Sequence, residues 1–209
     1  MAETHDEEVE ALKKWWSENG RAIILGVAIG GASILGWRYW QAHQISYAED
    51  ASTAYYQVLR SHEQNDVDAT RANATIVRDE FADTPYASLT ALLQARIAVE
   101  EGDLEGAAAE LRWAMDNSSE DDVRIIARLR LARVLTDQES LDEALDLLSN
   151  SVPAAYRSLH EEIRGDIYLA RGESREALEA YELALSAGPQ AGGSTVLQMK
   201  IDDLASLKD

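Results

Sequence analysis

The sequence predicts an all-α fold, in which a single N-terminal transmembrane helix is followed by a solenoid of helical hairpins. An uncharged, apolar stretch at residues 22–37 predicts the membrane-spanning helix. The rest of the chain places apolar residues and alanines at helical spacing, shows no convincing strand, and is interrupted by turn residues at regular intervals. We therefore divide the chain into an N-terminal segment at 1–20, a membrane anchor at 21–40 and one helical domain at 41–209.

The first 20 residues begin with an acidic tail, which we expect to be disordered because it has few apolar residues to bury. Residues 8–19 then predict a short amphipathic helix, with Val9 and Trp16 on its apolar face and Gly20 as its C-terminal stop. We expect this helix to lie along the cytoplasmic surface of the membrane.

Residues 21–40 predict an uncleaved signal anchor. The uncharged stretch makes a helix of about 24 Å, and the flanking arginines can extend their charges outward to match a bilayer core of about 30 Å. Bulky aromatic residues follow the stretch, which makes it a poor signal-peptidase site. The alternative is a buried core helix of a soluble protein, although no other segment is apolar enough to cover it. The residues that mark the two membrane interfaces are Trp15, Trp16, Trp37, Arg38, Tyr39 and Trp40.

Basic residues near the two ends of the anchor predict its orientation. Lys13, Lys14 and Arg21 precede the span, whereas Arg38 is followed by no further basic residue before Arg60. The basic excess on the N-terminal side predicts a cytoplasmic N-terminus and a helical domain on the opposite side of the membrane.

Small residues recur at every fourth position of the anchor, at Ala22, Gly26 and Gly30. This spacing lets two transmembrane helices approach closely, so the row is a candidate contact face for a second copy or for another membrane protein. The alternative is that glycine is simply frequent in membrane spans.

A pattern of small and aromatic residues organises the C-terminal domain. Its clearest copy consists of Gly165, Tyr168, Gly172, Ala177, Tyr181, Ala184 and Pro189. Their order and spacing resemble the tetratricopeptide repeat, a helix-turn-helix unit of about 34 residues. Gly165 and Ala177 would let the two helices of the unit pack closely, and Gly172 would form the turn between them. The two tyrosines would fill the groove between neighbouring units, and the proline would close the unit.

Two weaker copies precede this unit. Ala107 and Ala144 stand where the clearest copy has its second-helix alanine, at successive intervals of 37 and 33 residues, and Glu139 stands where a turn glycine is expected. We expect residues 48–84 to form a degenerate first pair and residues 194–208 to form a closing helix, because each repeat leaves one face uncovered. The alternative is an unrelated antiparallel helical bundle.

Composition excludes several classes of function. Beyond residue 40 the chain carries 32 acidic and 15 basic residues, a net charge of −17 that repels nucleic acid and anionic lipid. The absence of cysteine excludes disulfides and thiol catalysis. The four histidines lack the spacing of a helical metal pair, and there is no phosphate-binding glycine loop. We therefore predict a protein that is not an enzyme and holds no cofactor or metal.

Arginines at positions 124, 128, 130 and 133 form the one basic cluster of this acidic domain. In the simpler interpretation they pair with acidic neighbours on a solvated helix face. In the functional interpretation some of them, Arg124 and Arg128 foremost, line the groove of the solenoid and bind a carboxylate or an acidic partner.

Four segments, at residues 18–20, 36–40, 129–134 and 198–201, also resemble the YfgM family of bacterial inner-membrane proteins. The resemblance runs from end to end, and the Gly-Trp-Arg-Tyr-Trp segment is its most specific part. It implies a tetratricopeptide-like domain in the periplasm, a role as ancillary subunit of the SecYEG translocon, and association with the periplasmic chaperone PpiD. It also implies that the protein assists newly exported chains through the periplasmic chaperone network. The alternative function is a membrane-tethered scaffold for another envelope complex, in cell division or secretion assembly.

Overall fold

The structure is a computed structural model that describes residues 3–188 and 193–206, and the prediction of an all-α fold is confirmed for these residues, which contain no strand. The chain forms one long N-terminal helix, which is followed by a series of shorter antiparallel helices. The helices are α1 (Glu3–Glu63), α2 (Val67–Glu80), α3 (Pro85–Glu100), α4 (Leu104–Asn117), α5 (Asp121–Asp137), α6 (Leu141–Leu147), α7 (Ala154–Ala170), α8 (Ser174–Ser186) and α9 (Gly193–Ser206).

The chain divides into two units, with the boundary inside α1 between Asp50 and Ala51. In the first unit two predictions were wrong, because the acidic tail is helical from Glu3 and Gly20 does not end a helix. Gly20 lacks the positive φ found at the glycines that end helices in the second unit, and no proline follows it. The indole of Trp16 lies over this glycine, 3.1 Å from where a β-carbon would stand.

One stretch of the described residues is long and apolar enough to cross a membrane, and it begins at Ile23 within α1. None of its apolar window is buried. Ile24, Val27 and Leu35, for example, are 60%, 70% and 68% exposed. A core helix would bury such side chains, so within this unit the stretch is exposed as a membrane span requires.

The second unit consists of four antiparallel helix pairs and a closing helix. The predicted first pair is present and consists of residues 51–63 of α1 together with α2, where Val58, Ala74 and Val77 form a buried cluster. The other pairs are α3–α4, α5–α6 and α7–α8. The second helix of each pair contacts the first helix of the next. Among the first helices, α3 contacts α5 and α5 contacts α7. This arrangement is that of a helical solenoid.

The same backbone turn joins the two helices of each pair. The turn residues are Asn65, Gly102, Glu139 and Gly172, with φ of 57°, 80°, 61° and 78°. The residue after each turn donates its N–H to the carbonyl five positions earlier, as Ser140 does to Leu135 at 2.8 Å. This left-handed ending stops the first helix. In the first two pairs this same residue, Asp66 or Asp103, also caps the second helix with its carboxylate.

Alanine at the helix crossings allows the two helices of each pair to pack closely. Ala107, Ala144 and Ala177 are all completely buried. One apolar core extends from α3 to α7, and a second cluster joins α8 to α9. In α9, Leu197 and Leu204 are buried, as predicted for a closing helix. Residues 207 and 208, at the end of the predicted closing helix, lie outside the described residues.

Candidate functional site

The successive first helices α3, α5 and α7 lie side by side along one face of the solenoid. Stacked helical repeats commonly bind partner proteins on such an extended face. A cavity of about 430 Å³ lies on this surface between α5 and α7. We call it the α5–α7 groove. Its side chains come from Ile126, Leu129, Arg130 and Arg133 of α5 and from Ala155, Tyr156, Ser158, Leu159, Glu162 and Ile163 of α7.

The floor of the α5–α7 groove is apolar and its charged groups lie toward the C-terminal ends of the two helices. The carboxylate of Glu162 pairs with two cations, since its Oε1 lies 3.8 Å from Nη2 of Arg133 and 3.1 Å from Nζ of Lys200. Arg130 is exposed and makes no ion pair with another described residue. The groove therefore combines an apolar floor with one guanidinium free for a ligand.

The opposite end of the groove carries a tyrosine. A hydrogen bond between the Tyr156 hydroxyl and the carboxylate of Asp122 raises the pKa of Tyr156 above its ordinary value. Asp122 stands at the start of α5 and Tyr156 at the start of α7, so the carboxylate and the phenol lie at the N-terminal ends of the two helices.

The predicted arginine cluster is divided between two faces of α5. Arg130 and Arg133 line the α5–α7 groove, whereas Arg124 and Arg128 line a different cavity of about 350 Å³. Arg124 and Arg128, predicted as partner-binding residues, therefore line a cavity separate from the α5–α7 groove, and their role in binding stays a prediction. The reason is the helical period, which places residues four apart on one face but residues 128 and 130 about 200° apart.

Arg124 and Arg128 differ in their partners. Arg124 forms an ion pair with Asp121 and donates from Nη1 to the carbonyl of Ser118 at 2.9 Å. Arg128 is half-buried, and its Nε is fully buried with no hydrogen-bond partner among the described residues. Arg124 is thus neutralised within the chain, whereas Arg128 is not.

The predicted repeat residues occupy three kinds of position. Tyr181 and Ala184 are completely buried, and Tyr181 packs within its own helix pair against Gly165 as well as in the cluster that includes Leu197 of α9. Tyr168 is half-buried and lines a cavity beside α6, with the guanidinium of Arg164 5.7 Å from its ring centroid. Pro189 lies outside the described residues.

The residues predicted at the membrane lie in the exposed first unit. The rings of Trp37 and Trp40 are 5.1 Å apart. A β-carbon at Gly26 or Gly30 would meet no atom within 4 Å, so this face of the anchor is unobstructed.

Metal-binding geometry is absent from the described residues, where no three histidine or acidic side chains converge. The one buried histidine among them, His160, bridges the chain instead. Its Nε2 lies 3.0 Å from the carbonyl oxygen of Leu148 and its Nδ1 lies 3.0 Å from Oε1 of Glu161. It therefore ties the end of α6 to α7.

Sequence reasoning missed three features of these surfaces. It did not assign Arg130 and Arg133 to the groove, although their helical spacing from Ile126 would have indicated a shared face. It did not find the contact of Lys200 with Glu162 and Asp166, since no local pattern links residues so far apart. It also did not predict that α6 is short.

Comparison with known families and proteins identifies what this chain is similar to. The model of a tetratricopeptide repeat-like domain family matches residues 13–206, which include the apolar stretch as well as the solenoid. Several curated relatives named "Ancillary SecYEG translocon subunit" match over nine tenths or more of their length. One from Aggregatibacter actinomycetemcomitans is 37% identical over 187 residues, which are 88% of this chain and 91% of the relative.

Two further relatives with the same name extend the match. The protein of Haemophilus influenzae is 33% identical over 199 residues, covering 95% of this chain and 97% of its own length. The protein of Escherichia coli strain K12 is 30% identical over 203 residues, covering 97% and 98%. The similarity thus covers the apolar helix and the helical repeats together.

Proposed function

Because the chain belongs to the tetratricopeptide repeat-like family of ancillary SecYEG translocon subunits, we propose that it is a membrane-anchored accessory subunit of the Sec translocon. The observation that carries this proposal is the end-to-end similarity to relatives of that name, which includes the apolar anchor. A protein that shared only the repeats would share a fold used for many purposes. Similarity in both parts supports a common location as well.

The solenoid is the part that we propose to hold a partner. The α5–α7 groove offers about 430 Å³ of space, an apolar floor and the free guanidinium of Arg130, which suit a polypeptide segment. We propose that a PpiD-like periplasmic chaperone, or an exported chain, binds there. Anchoring beside the translocon would raise the local concentration of the groove, so the affinity for either partner need not be high. The role is proposed to be non-catalytic.

The orientation that this function requires is a cytoplasmic N-terminus and a periplasmic solenoid. The basic excess before the anchor supports it. The chain has no cysteine, so single engineered cysteines give clean labels. In intact spheroplasts, a maleimide that cannot cross membranes should label N150C, at an exposed site beyond the anchor, and spare S17C, before it. The reverse labelling would contradict the proposal.

The groove itself is tested by photo-crosslinking from the full-length protein in native membranes. A photo-reactive residue replaces Ala155, which is exposed and lines the groove, and a matched control replaces Arg157, which is exposed on the same helix but does not line it. We expect adducts with a periplasmic chaperone or an exported chain from position 155 alone. Equal adducts from both positions, or none from either, would exclude the groove as the binding surface.

A further inference from the structure

The second helix of the third pair is half the length of its equivalents. Helix α6 has 7 residues, whereas α2, α4 and α8 have 14, 14 and 13. A helix of 7 residues is about 10 Å long, so it covers less than half of the 17-residue α5 against which it packs. The half of α5 nearer its N-terminus is left without this cover.

The uncovered half of α5 borders the cavity that holds Arg128. This cavity measures about 350 Å³, and we call it the Arg128 notch. Its walls are apolar on one side, where Met115 of α4, Ile125 of α5 and Pro153 before α7 contribute. Its remaining lining residues are Asp121, Arg124 and Arg128.

The notch contains one positive charge, that of Arg128, without an acidic partner among its lining residues. Asp121 and Arg124 neutralise each other in an ion pair. Arg128 forms no ion pair within the described residues, and its buried Nε lacks a hydrogen-bond acceptor there. Other arginines of the second unit, such as Arg78 with Glu110 and Arg112 with Glu143, pair across helices. The Nε is enclosed, so a ligand in the notch meets the Nη groups of this guanidinium, which form no hydrogen bond with another described residue.

We propose that the Arg128 notch binds an aspartate or glutamate side chain of a partner protein, with a neighbouring apolar side chain of that partner against Met115, Ile125 and Pro153. A guanidinium presents a planar set of donors that matches a carboxylate. The net charge of −17 beyond residue 40 disfavours polyanions such as nucleic acid or an anionic membrane. A single carboxylate within an otherwise apolar segment fits the notch best.

This surface is distinct from the α5–α7 groove. The two cavities share no lining residue, because they lie on different faces of α5. The proposal therefore does not depend on what the groove binds. A result that excludes one cavity as a binding site therefore says nothing against the other.

The first test uses two capped pentapeptides and the full-length protein in detergent micelles. One peptide carries glutamate between two leucines, and the other carries glutamine in its place. Binding is followed by the NMR signals of the Met115 and Ile125 methyl groups, which report on the notch. We expect the glutamate peptide to bind about tenfold more tightly, the difference that a charged hydrogen-bonded pair typically makes.

Matched variants assign that difference to one side chain. R128A should abolish the preference for glutamate and R128K should restore part of it, whereas R157A, at an exposed arginine of α7 that lines neither cavity, should leave it unchanged. R128M serves as a folding control, because an apolar side chain of similar length should give a Tm equal to or above that of the natural protein. Equal binding of the two peptides, an equal loss in R157A, or no methyl shift with either peptide would overturn the proposal.

A photo-reactive residue at position 125, used in native membranes, then identifies the source of the carboxylate. Adducts that map to a segment of a different protein containing an aspartate or glutamate support the proposal. Adducts that map only to lipid, only to a second copy of this chain, or to segments without an acidic residue would contradict it.

Discussion

Tyr181 packs directly onto Gly165, and this contact joins the two helices of the last pair. A β-carbon added at Gly165 would stand 2.3 Å from Cε1 of the tyrosine ring. The ring has little room to move, since Tyr181 is completely buried and its hydroxyl donates to Oδ1 of Asp166 at 2.7 Å. Lys200 of α9 lies over the same ring, 5.2 Å from its centroid. The contact therefore also supports the closing helix.

Substitution of Gly165 by alanine should destabilise the solenoid. The added methyl group would force the Tyr181 ring or the backbone of α7 to shift, which costs about 1–3 kcal/mol of unfolding free energy in a well-packed core. Urea unfolding of the full-length protein in micelles measures it. The control is G31A, where a β-carbon meets nothing within 4 Å. An unchanged urea midpoint in G165A would show that the contact is looser than described.

Alkaline pH should weaken the fold through the same tyrosine. Burial, together with the hydrogen bond to Asp166, raises the pKa of Tyr181 above its ordinary value. In the unfolded chain the hydroxyl loses its proton near pH 10, at about the ordinary tyrosine pKa. Above that pH the unfolded state therefore binds fewer protons than the folded state.

The contribution of Tyr181 to the free energy of unfolding should accordingly be constant below about pH 10. It should fall as the pH rises further, by up to about 1.4 kcal/mol per pH unit. Comparison of Y181F with the natural protein between pH 8 and pH 11.5 isolates the contribution, because phenylalanine cannot titrate. The two stability curves should converge as the pH rises. Parallel curves would mean that Tyr181 titrates normally in the folded protein.

The turn at Glu139 should be improved by glycine. Glu139 has a φ of 61°, a left-handed conformation that costs a residue with a side chain about 1 kcal/mol. Glycine removes this cost, but its greater conformational freedom stabilises the unfolded chain and offsets part of the gain. E139G should therefore raise the unfolding free energy by about 0.5 kcal/mol. The reciprocal variant, G172A at a φ of 78°, should lower it by about 1 kcal/mol. Effects of the same sign in both variants would contradict this explanation.

Loss of the Lys200 charge should loosen the closing helix without unfolding the other pairs. Nζ of Lys200 lies 2.7 Å from Oδ1 of Asp166 and 3.1 Å from Oε1 of Glu162. In K200M the two carboxylates lose their shared cation, and because the lysine is 28% exposed we expect a cost of about 1 kcal/mol. Amide hydrogen exchange should quicken about fivefold in α9 and change little in α3–α6. In K200R the exchange in α9 should be nearly that of the natural protein. Equal exchange in K200M and K200R would show that the charge of Lys200 does not hold α9 in place.

The repeat could be predicted from sequence wherever a local rule determines the structure. Gly172 was assigned to a turn because glycine favours a positive φ, and Glu139 because it occupies the same position one repeat earlier. The structure shows the left-handed conformation at both. The prediction failed at Gly20, because a glycine in a helix is only a weak stop when no left-handed turn or proline follows.

The binding surfaces were less predictable, because they depend on contacts between distant segments. The arginines of α5 are close in sequence but lie on two faces, and only the helical period separates them. Arg128 lines a cavity formed by α4, α5 and the segment before α7, and no glycine or proline in Leu141–Leu147 marks the early end of α6. The partners of Lys200 lie 34 and 38 positions away. Such contacts are set by packing of the whole solenoid.

The most direct test of the proposed accessory role is photo-crosslinking from the anchor in native membranes. A photo-reactive residue replaces Ile34, an exposed side chain of the apolar stretch, and irradiated adducts are compared with a sample kept in the dark. An ancillary subunit of the translocon should yield adducts with SecYEG subunits. Adducts with only a second copy of this chain, or with components of cell-division or secretion machinery, would contradict the proposal and favour a scaffold for another envelope complex.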